Sequence, residues 1–358
     1  MSLDTEKRVL DRIEKARRRK PKVTDERITL AHGAGGKASH TLTEAVFLEA
    51  FRNPLLEPLS DQAVFGIGNA KLAFSTDSYV VRPLFFPGGD IGDLAINGTV
   101  NDLAMAGARP LYLSAGFILE EGFPLESLTR IVSSMAHASR SAGVQIVTGD
   151  TKVVERGKAE GCYLNTSGVG VIEHSLELGP TSVRDGDAVL VSGPIGEHGV
   201  TVMLSRGELD IDSDITSDTA ALHGIVGCLL AEVDGVRCLR DATRGGVATV
   251  LNEIARAAEV AVVVDERAVP MRAEVRGAAE LLGIDPLYIA CEGRFLAFVD
   301  GAQADAALAA LRGHPLGEGA AVIGRVRADP PGMVLLKTEF GGTRILDLLI
   351  GDPLPRIC

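Results

Sequence analysis

Four aspartates stand where a chain can gather oxygen ligands: Asp61 in LSDQAVF, Asp77 in FSTDSYV, Asp102 in TVNDLAM and Asp150 in VTGDTKVV. Each reads as a strand end or a polar turn, so each carboxylate is expected at one edge of a sheet. Several together make a hard oxygen site suited to Mg2+ carrying a nucleoside triphosphate. One such aspartate alone is more simply a cap or turn residue; it is the recurrence of four in the first half of the chain that points to a metal. Upstream, AHGAGGK (31–37) sets three glycines and a lysine between a strand and a helix, where backbone N–H groups can surround a phosphate and an ammonium can neutralise it. It has neither the Walker spacing nor G-x-G-x-x-G, so a tight turn is the competing reading.

Further groups share these segments. Lys152 lies two residues past Asp150, and Glu292 in CEGRF sits between a thiol and an arginine; both also suit plain surface charge. DATRGGVATVLNEIA (241–255) reads as a polar loop, a Gly-Gly turn and a helix, with Asp241 and Arg244 placed for an anion or a structural ion pair. GGDIGDLAINGTVNDLAMAGARP (88–110) predicts a buried helix on which Asp93, Asn97 and Asn101 form a polar seam at i, i+4 and i+8. Buried amides need partners, at roughly 1–3 kcal/mol each, so the seam should face a polar site or another chain. The chain closes on DPLPRIC, its last residue a cysteine. Pro353 and Pro355 favour extended backbone, so an arm over 347–358 would reach on the order of 40 Å and carry a reachable thiol at its tip. With no residue after Cys358, prenylation is excluded.

The elements that must position these groups alternate short strands with helices. Strands are expected at 71–76, 111–117, 144–149 and 164–172, with helices near 40–52, 90–107 and 124–142. Beyond a boundary near 172 come strands in DAVLVSG, VAVVVD, RFLAFVD and AAVIGRV, with helices near 198–205, 244–258 and 302–312. The class is mixed α/β (α+β), and alternating strands favour sheets open on one face. The domains expected are a charged extension over 1–27, an ATP-binding α/β unit over 28–172, a second α/β unit over 173–346 and the arm over 347–358.

A length of 358 residues, 46% of them hydrophobic, suits two domains with their own cores. Residues 1–27 hold ten Lys or Arg against six Asp or Glu; with a total of −12, the remaining residues carry −16. So acidic a body argues against nonspecific nucleic-acid binding. No apolar run reaches the ~18 residues of a membrane span, and no hydrophobic stretch follows the amino-terminal charges, which predicts a cytoplasmic protein. Cys162, Cys228, Cys238 and Cys291 show no C-x-x-C spacing and are expected as buried thiols.

HGAGG, the 76–110 segment, GDTKVV, DATRGGVATVLNEIA, CEGRF and the terminal PRIC together resemble the HypE family of hydrogenase maturation proteins, from about residue 28 to the end. That family lies in the superfamily of aminoimidazole ribonucleotide synthetase, selenophosphate synthetase and thiamine monophosphate kinase. The resemblance implies a two-domain fold that forms a homodimer through its amino-terminal domains. It implies that HypF carbamoylates the thiol of Cys358, that ATP then drives dehydration of the thiocarboxamide to a thiocyanate, and that cyanide passes through HypC–HypD to the iron of a nickel–iron hydrogenase. On this likeness Asp61, Asp77, Asp102 and Asp150 would hold Mg2+, while Gly35, Gly36, Lys37, Asn97, Thr99 and Asn101 would contact the nucleotide. Lys152 and Glu292 would lie by the arm tip, one stabilising charge and the other acting as base, in roles that can be exchanged. A kinase or selenophosphate-type synthetase sharing the ATP site, and a carrier with no ATPase activity, are the alternatives.

Overall fold

The computed structural model describes residues 23, 25–207 and 213–349. Most of the basic extension, and the arm from 350 to Cys358, lie outside the described residues.

The first sheet has the order β1-β2-β7-β5-β6, from β1 (Ala63–Ile67), β2 (Ala70–Tyr79), β5 (Ala108–Glu120), β6 (Gln145–Val154) and β7 (Cys162–Ile172). All neighbours run antiparallel except β5 and β6, which are parallel. A small hairpin of β3 (Phe85–Phe86) and β4 (Gly89–Asp90) lies between β2 and the helices. Ahead of the sheet, α1 (Lys37–Leu42) continues through a π-helical stretch (Thr43–Leu48) into Glu49–Phe51. Two helices, α2 (Ile91–Met105) and α3 (Leu125–Ser141), pack on one face of the sheet. The other face is open: β7 alternates buried and less buried residues along its length, and Phe74, Tyr112 and Ile118 are exposed.

The second sheet has the order β14-β13-β10-β12-β8-β11-β9. Its strands are β8 (Ala188–Val191), β9 (Val236–Asp241), β10 (Ala261–Asp265), β11 (Phe295–Val299), β12 (Ala321–Arg327), β13 (Met333–Lys337) and β14 (Thr343–Ile345). Of its helices, α4 (Glu197–Leu204) and α7 (Ala273–Leu282) join the core of the first unit, α6 (Gly246–Ala257) packs on one face, and α5 (His223–Glu232) and α8 (Ala304–Arg312) pack on the other. Every residue of β8 and β11 is therefore buried, which is why AVLV and FLAFV are continuous apolar runs. The expectation of sheets open on one face holds for the first sheet and fails for the second.

Helix α2 is the hinge of the architecture. Asp90 caps it, accepting from the N–H groups of Gly92 (2.8 Å) and Asp93 (3.1 Å), which satisfies two donors of its first turn. Of its residues only Asp93 and Asp102 escape full burial. One side of the helix meets the sheet, and the seam side meets the extended chain entering α5. Asn101 donates to the carbonyls of Ala220 (3.0 Å) and Glu292 (3.1 Å) and accepts from Leu222 N–H (2.7 Å). Asn97 donates to Thr219 Oγ1 (3.2 Å). The amides of the seam thus bind one unit to the other.

Candidate functional site

Between the units lies a cleft of about 190 Å³ lined by Asp61, Thr76, Asp77, Ser78, Tyr79, Gly98, Asp102, Asp241, Thr243, Arg244 and Glu292. Asp77 comes from β2, Asp102 from α2, Asp61 from the loop before β1, and Asp241 is the last residue of β9. Gly98 is required where α2 passes Tyr79, because a Cβ there would collide with the phenol oxygen. Carboxylate oxygens of Asp61, Asp102 and Asp241 lie within 4.8 Å of one another.

This packing of acids has a clear electrostatic signature. Burial, then the neighbouring carboxylates of Asp241, Asp61 and Asp77, pushes the Asp102 carboxyl well above the ordinary carboxylate range, although Ser75 Oγ donates to it in a short hydrogen bond. Asp241 is raised likewise by burial and by Asp61, against the pull of Arg240. Asp61 is pushed up to about 6 by burial even though Arg240 Nε lies 2.8 Å from its Oδ1. Glu292 is raised well above its usual value by burial, with Asp241 and Asp77 adding to the effect. Its Oε1 is buried with no hydrogen-bond partner, as is the Tyr79 hydroxyl. Buried carboxylates that repel one another and a buried oxygen left orphaned are what a divalent cation and its ligand would satisfy. The residues present therefore fit Mg2+, with Asp61, Asp102 and Asp241 as the convergent set and Asp77 beside them.

The structure brings together Asp61, Asp77, Asp102 and Glu292, and it adds Asp241. Of the four aspartates expected at strand ends or in polar turns, Asp61 lies in the bend before β1, Asp77 and Asp150 lie within strands and Asp102 on a helix; the acid that ends a strand is Asp241, read in sequence as an anion or ion-pair residue. Asp150 is mid-strand on β6, and its neighbour Gly149 is linked to Asp77 only through the register Asp77–Thr166–Ala115–Gly149. Three strand spacings, about 14 Å, separate the two acids. Asp150 is exposed and paired with Lys152 at 2.7 Å, which holds its carboxyl below the usual range. In this chain neither Asp150 nor Lys152 reaches the cleft.

Asn97, Thr99 and Asn101, expected to contact a nucleotide, do not line this cleft. Thr99 is fully buried against Thr166 (Oγ1–Oγ1 2.6 Å). Asn97 and Asn101 face the second unit, away from the cleft, because Gly98 and Asp102 occupy the cleft side of the helix. Asp93 and Asn97 line another cavity, about 400 Å³, with His137, His223 and His314. In the glycine loop two backbone donors are engaged: Gly35 N–H donates to Ser39 Oγ (3.0 Å) and Lys37 N–H to the Leu349 carbonyl (3.0 Å). Arg244 Nη1 reaches the Gly33 carbonyl at 3.5 Å, placing this loop on the rim of the cleft. Of the other thiols, Cys162, Cys238 and Cys291 are buried as expected, whereas Cys228 is exposed. The arm begins later than expected, since Leu346 and Leu348 are buried and the Asp347 carbonyl accepts from the Tyr288 hydroxyl at 2.6 Å.

Comparison with known proteins agrees with the two-unit α/β fold. Residues 59–172 match the AIR synthase related protein N-terminal domain, and residues 184–337 match its C-terminal domain. The carbamoyl dehydratase HypE of Cupriavidus necator is 54% identical over 333 residues, 93% of this chain and 95% of that protein. A crystal structure of a HypE–HypF complex superposes with a TM-score of 0.82 at 44% identity, covering 86% of this chain and 99% of that one. HypE in complex with ATP gives 0.78 at 48% identity, covering 93% and 100%. The chain belongs to the AIR synthase related family and, within it, to the HypE carbamoyl dehydratases.

Proposed function

We propose that this protein is an ATP-dependent carbamoyl dehydratase of nickel–iron hydrogenase maturation, acting on a carbamoyl group carried as a thiocarboxamide on Cys358. The observation that carries the reading is the cleft, where buried mutually repelling acids meet an orphaned Glu292 carboxyl oxygen between two domains of HypE type. Asp61, Asp102 and Asp241, with Asp77, would hold Mg2+, which supplies charge compensation for a triphosphate.

The chain's own groups account for the rest. An amide oxygen leaves poorly, so the ATP γ-phosphoryl group is transferred to it, giving an imidate phosphate and ADP as one N–H proton is lost. Removal of the second N–H proton with departure of phosphate leaves the nitrile of a thiocyanate, so the carbamoyl oxygen ends in inorganic phosphate. Glu292 is the base. Its raised pKa makes it a strong acceptor once cation and substrate compensate the surrounding acids. Asn101 and the Asp218 carboxylate, which accepts from Glu292 N–H at 2.9 Å, fix the backbone that carries it. Arg244 on the rim faces the phosphoryl group.

Asp150 and Lys152 complete the site only from a second copy. β6 is exposed along nearly its whole length, with Val147 and Val153 bare, and it continues the uncovered face of Phe74, Tyr112 and Ile118. Such a face in a protein of this charge is a partner surface. A homodimer burying it sets Lys152 of one copy toward the cleft of the other, where its ammonium stabilises charge on oxygen or phosphate. HypF is the carbamoyl donor, as the complex of a relative suggests, and HypC–HypD receives the cyanide. Among the described residues no helix is long and apolar enough to cross a membrane, and a cytoplasmic location suits these partners.

The test is mass spectrometry of the carboxy-terminal peptide after incubation with HypF, carbamoyl phosphate and Mg-ATP. A carbamoyl adduct without ATP hydrolysis in this protein and a cyano adduct with it are expected, both lost in Cys358→Ala. A thiocyanate in Cys358→Ala, or phosphorylation of a free small molecule in its place, overturns the reading in favour of a kinase or synthetase.

A further inference from the structure

Two backbone donors of the glycine loop, on Gly35 and Lys37, are engaged within the protein, and one of them is spent on the chain's own carboxy-terminal segment. Lys37 N–H donates to the Leu349 carbonyl at 3.0 Å. A Cβ built on Gly36 would lie 2.8 Å from that same oxygen, so glycine is what permits the approach. Gly36 has φ −95°, an ordinary backbone, and the requirement is therefore one of space alone. Gly35, at φ +77°, is pressed against the Arg244 carbonyl, where a Cβ would come within 2.7 Å. Ser39 braces the turn, accepting from Gly35 N–H and donating to the Ala31 carbonyl at 3.3 Å. From below, Leu346 is tied to Asn252 Nδ2 (2.9 Å), Asp347 to Tyr288 and to Arg256 Nη2 (3.2 Å), and Leu348 is buried.

We propose that residues 35–37 are a clamp on the root of the carboxy-terminal arm, with Gly36 and the Lys37 amide as positioning groups for the dehydration step. The clamp sets the pivot at Leu349. Through Gly35 the pivot is seated on Arg244, a lining residue of the acid cleft, so the arm starts from the rim that its tip must enter. The proposal rests on the reading that Cys358 carries the substrate into that cleft.

Gly36→Ala tests it in the full-length chain, with Gly33→Ala as control because a Cβ on Gly33 meets nothing within 4 Å. Hydrogen exchange reads the clamp directly. An amide in the first turn of a helix has no intrahelical acceptor, so Lys37 is protected only through Leu349. Its exchange is expected to quicken roughly five- to tenfold in Gly36→Ala and to be unchanged in Gly33→Ala. Dehydration of preloaded thiocarboxamide should slow about fivefold in Gly36→Ala, while Mg-ATP affinity, carbamoyl transfer and melting temperature stay at wild-type values. Lys37 exchanging in the wild type as fast as an unbonded first-turn amide overturns the clamp. So does a Gly36→Ala protein matching Gly33→Ala in both measurements. If Lys37 protection is present and lost in Gly36→Ala but no variant, nor the wild type, forms thiocyanate, the clamp stands and the dehydratase reading is what fails.

Discussion

Asp241→Asn is expected to make the protein more stable without ligand and less responsive to Mg-ATP. Carboxylate oxygens of Asp61, Asp102 and Asp241 lie within 4.8 Å of each other. Two unit charges at that separation repel by about 3.5 kcal/mol at an effective dielectric near 20. The substitution removes two of the three pairs, about 7 kcal/mol were all three acids ionised. The ligand-free protein escapes most of this by retaining protons, as the raised pKa values of all three acids indicate, and Arg240 offsets part of the charge of Asp61. A net gain of roughly 1–2 kcal/mol remains at neutral pH, about 1–3 °C in melting temperature for a chain of this size. The sign follows from the direction of the shifts. A carboxyl whose pKa is raised by folding contributes stability that is present at low pH and lost as pH rises through the raised value, so the variant's advantage should vanish near pH 4 and grow as pH rises above it. With one donor missing, Mg-ATP should bind at least tenfold more weakly and raise the melting temperature correspondingly less. Calorimetry at pH 4 and pH 7, with and without Mg-ATP, reads all four quantities. A variant that melts lower than the wild type without ligand at pH 7, or whose Mg-ATP shift is undiminished, would refute the view that these acids are a strained cation site.

Asp77→Asn and Asp150→Asn should each abolish dehydration, yet mixing the two proteins should restore part of it, since one site of a mixed dimer keeps both residues; a mixture as inactive as its components would place both acids in one subunit's site. Glu292→Gln should accumulate the thiocarboxamide on Cys358 with Mg-ATP affinity intact, whereas normal thiocyanate yield from that variant would leave the base elsewhere. Asp93, pushed up to about 6 mainly by burial, costs stability as pH rises from 4 to 6. Asp93→Asn should therefore gain about 1–2 kcal/mol over wild type across that interval and no more above it, as read by denaturant titration; a constant offset at all pH values would assign the effect to packing instead.

The periodic elements were legible in the sequence because their patterns are strong: β2, β5, β6, β7 and the three helices of the first unit all fall where apolar spacing puts them. β9 was not, since Arg237 and Arg240 interrupt VRCLRD; both arginines turn out to serve buried ion pairs, with Asp187 and Asp61. Missing β9 hid the strand end that carries Asp241. The polar seam was read as polar and buried, which it is, but residue types do not say which side of a helix holds the ligand. Gly98 does, and its need is visible only once Tyr79 is in place beside it. Nor did HGAGGK declare its occupant. A loop rich in N–H donors can cradle a phosphate or a carbonyl equally well, and Leu349 lies more than three hundred residues away. The exposure of β6 was hidden for another reason: VQIVTG looks like a core strand, yet nearly all of its residues are exposed.

Helix α2 has a practical bearing on how the protein can be watched at work. Its two partly open positions, Asp93 and Asp102, look into different chambers, and every other residue is enclosed. None of the enclosed positions along it can bear a fluorophore or a spin probe without prying the two halves apart. A reporter on Asp102 would fill the acid cleft. Asp93 alone offers a window, because it touches the Thr219 side of the junction without entering the reaction chamber. A small environment-sensitive group there would register strain crossing the rod while leaving the chemistry on its far side undisturbed.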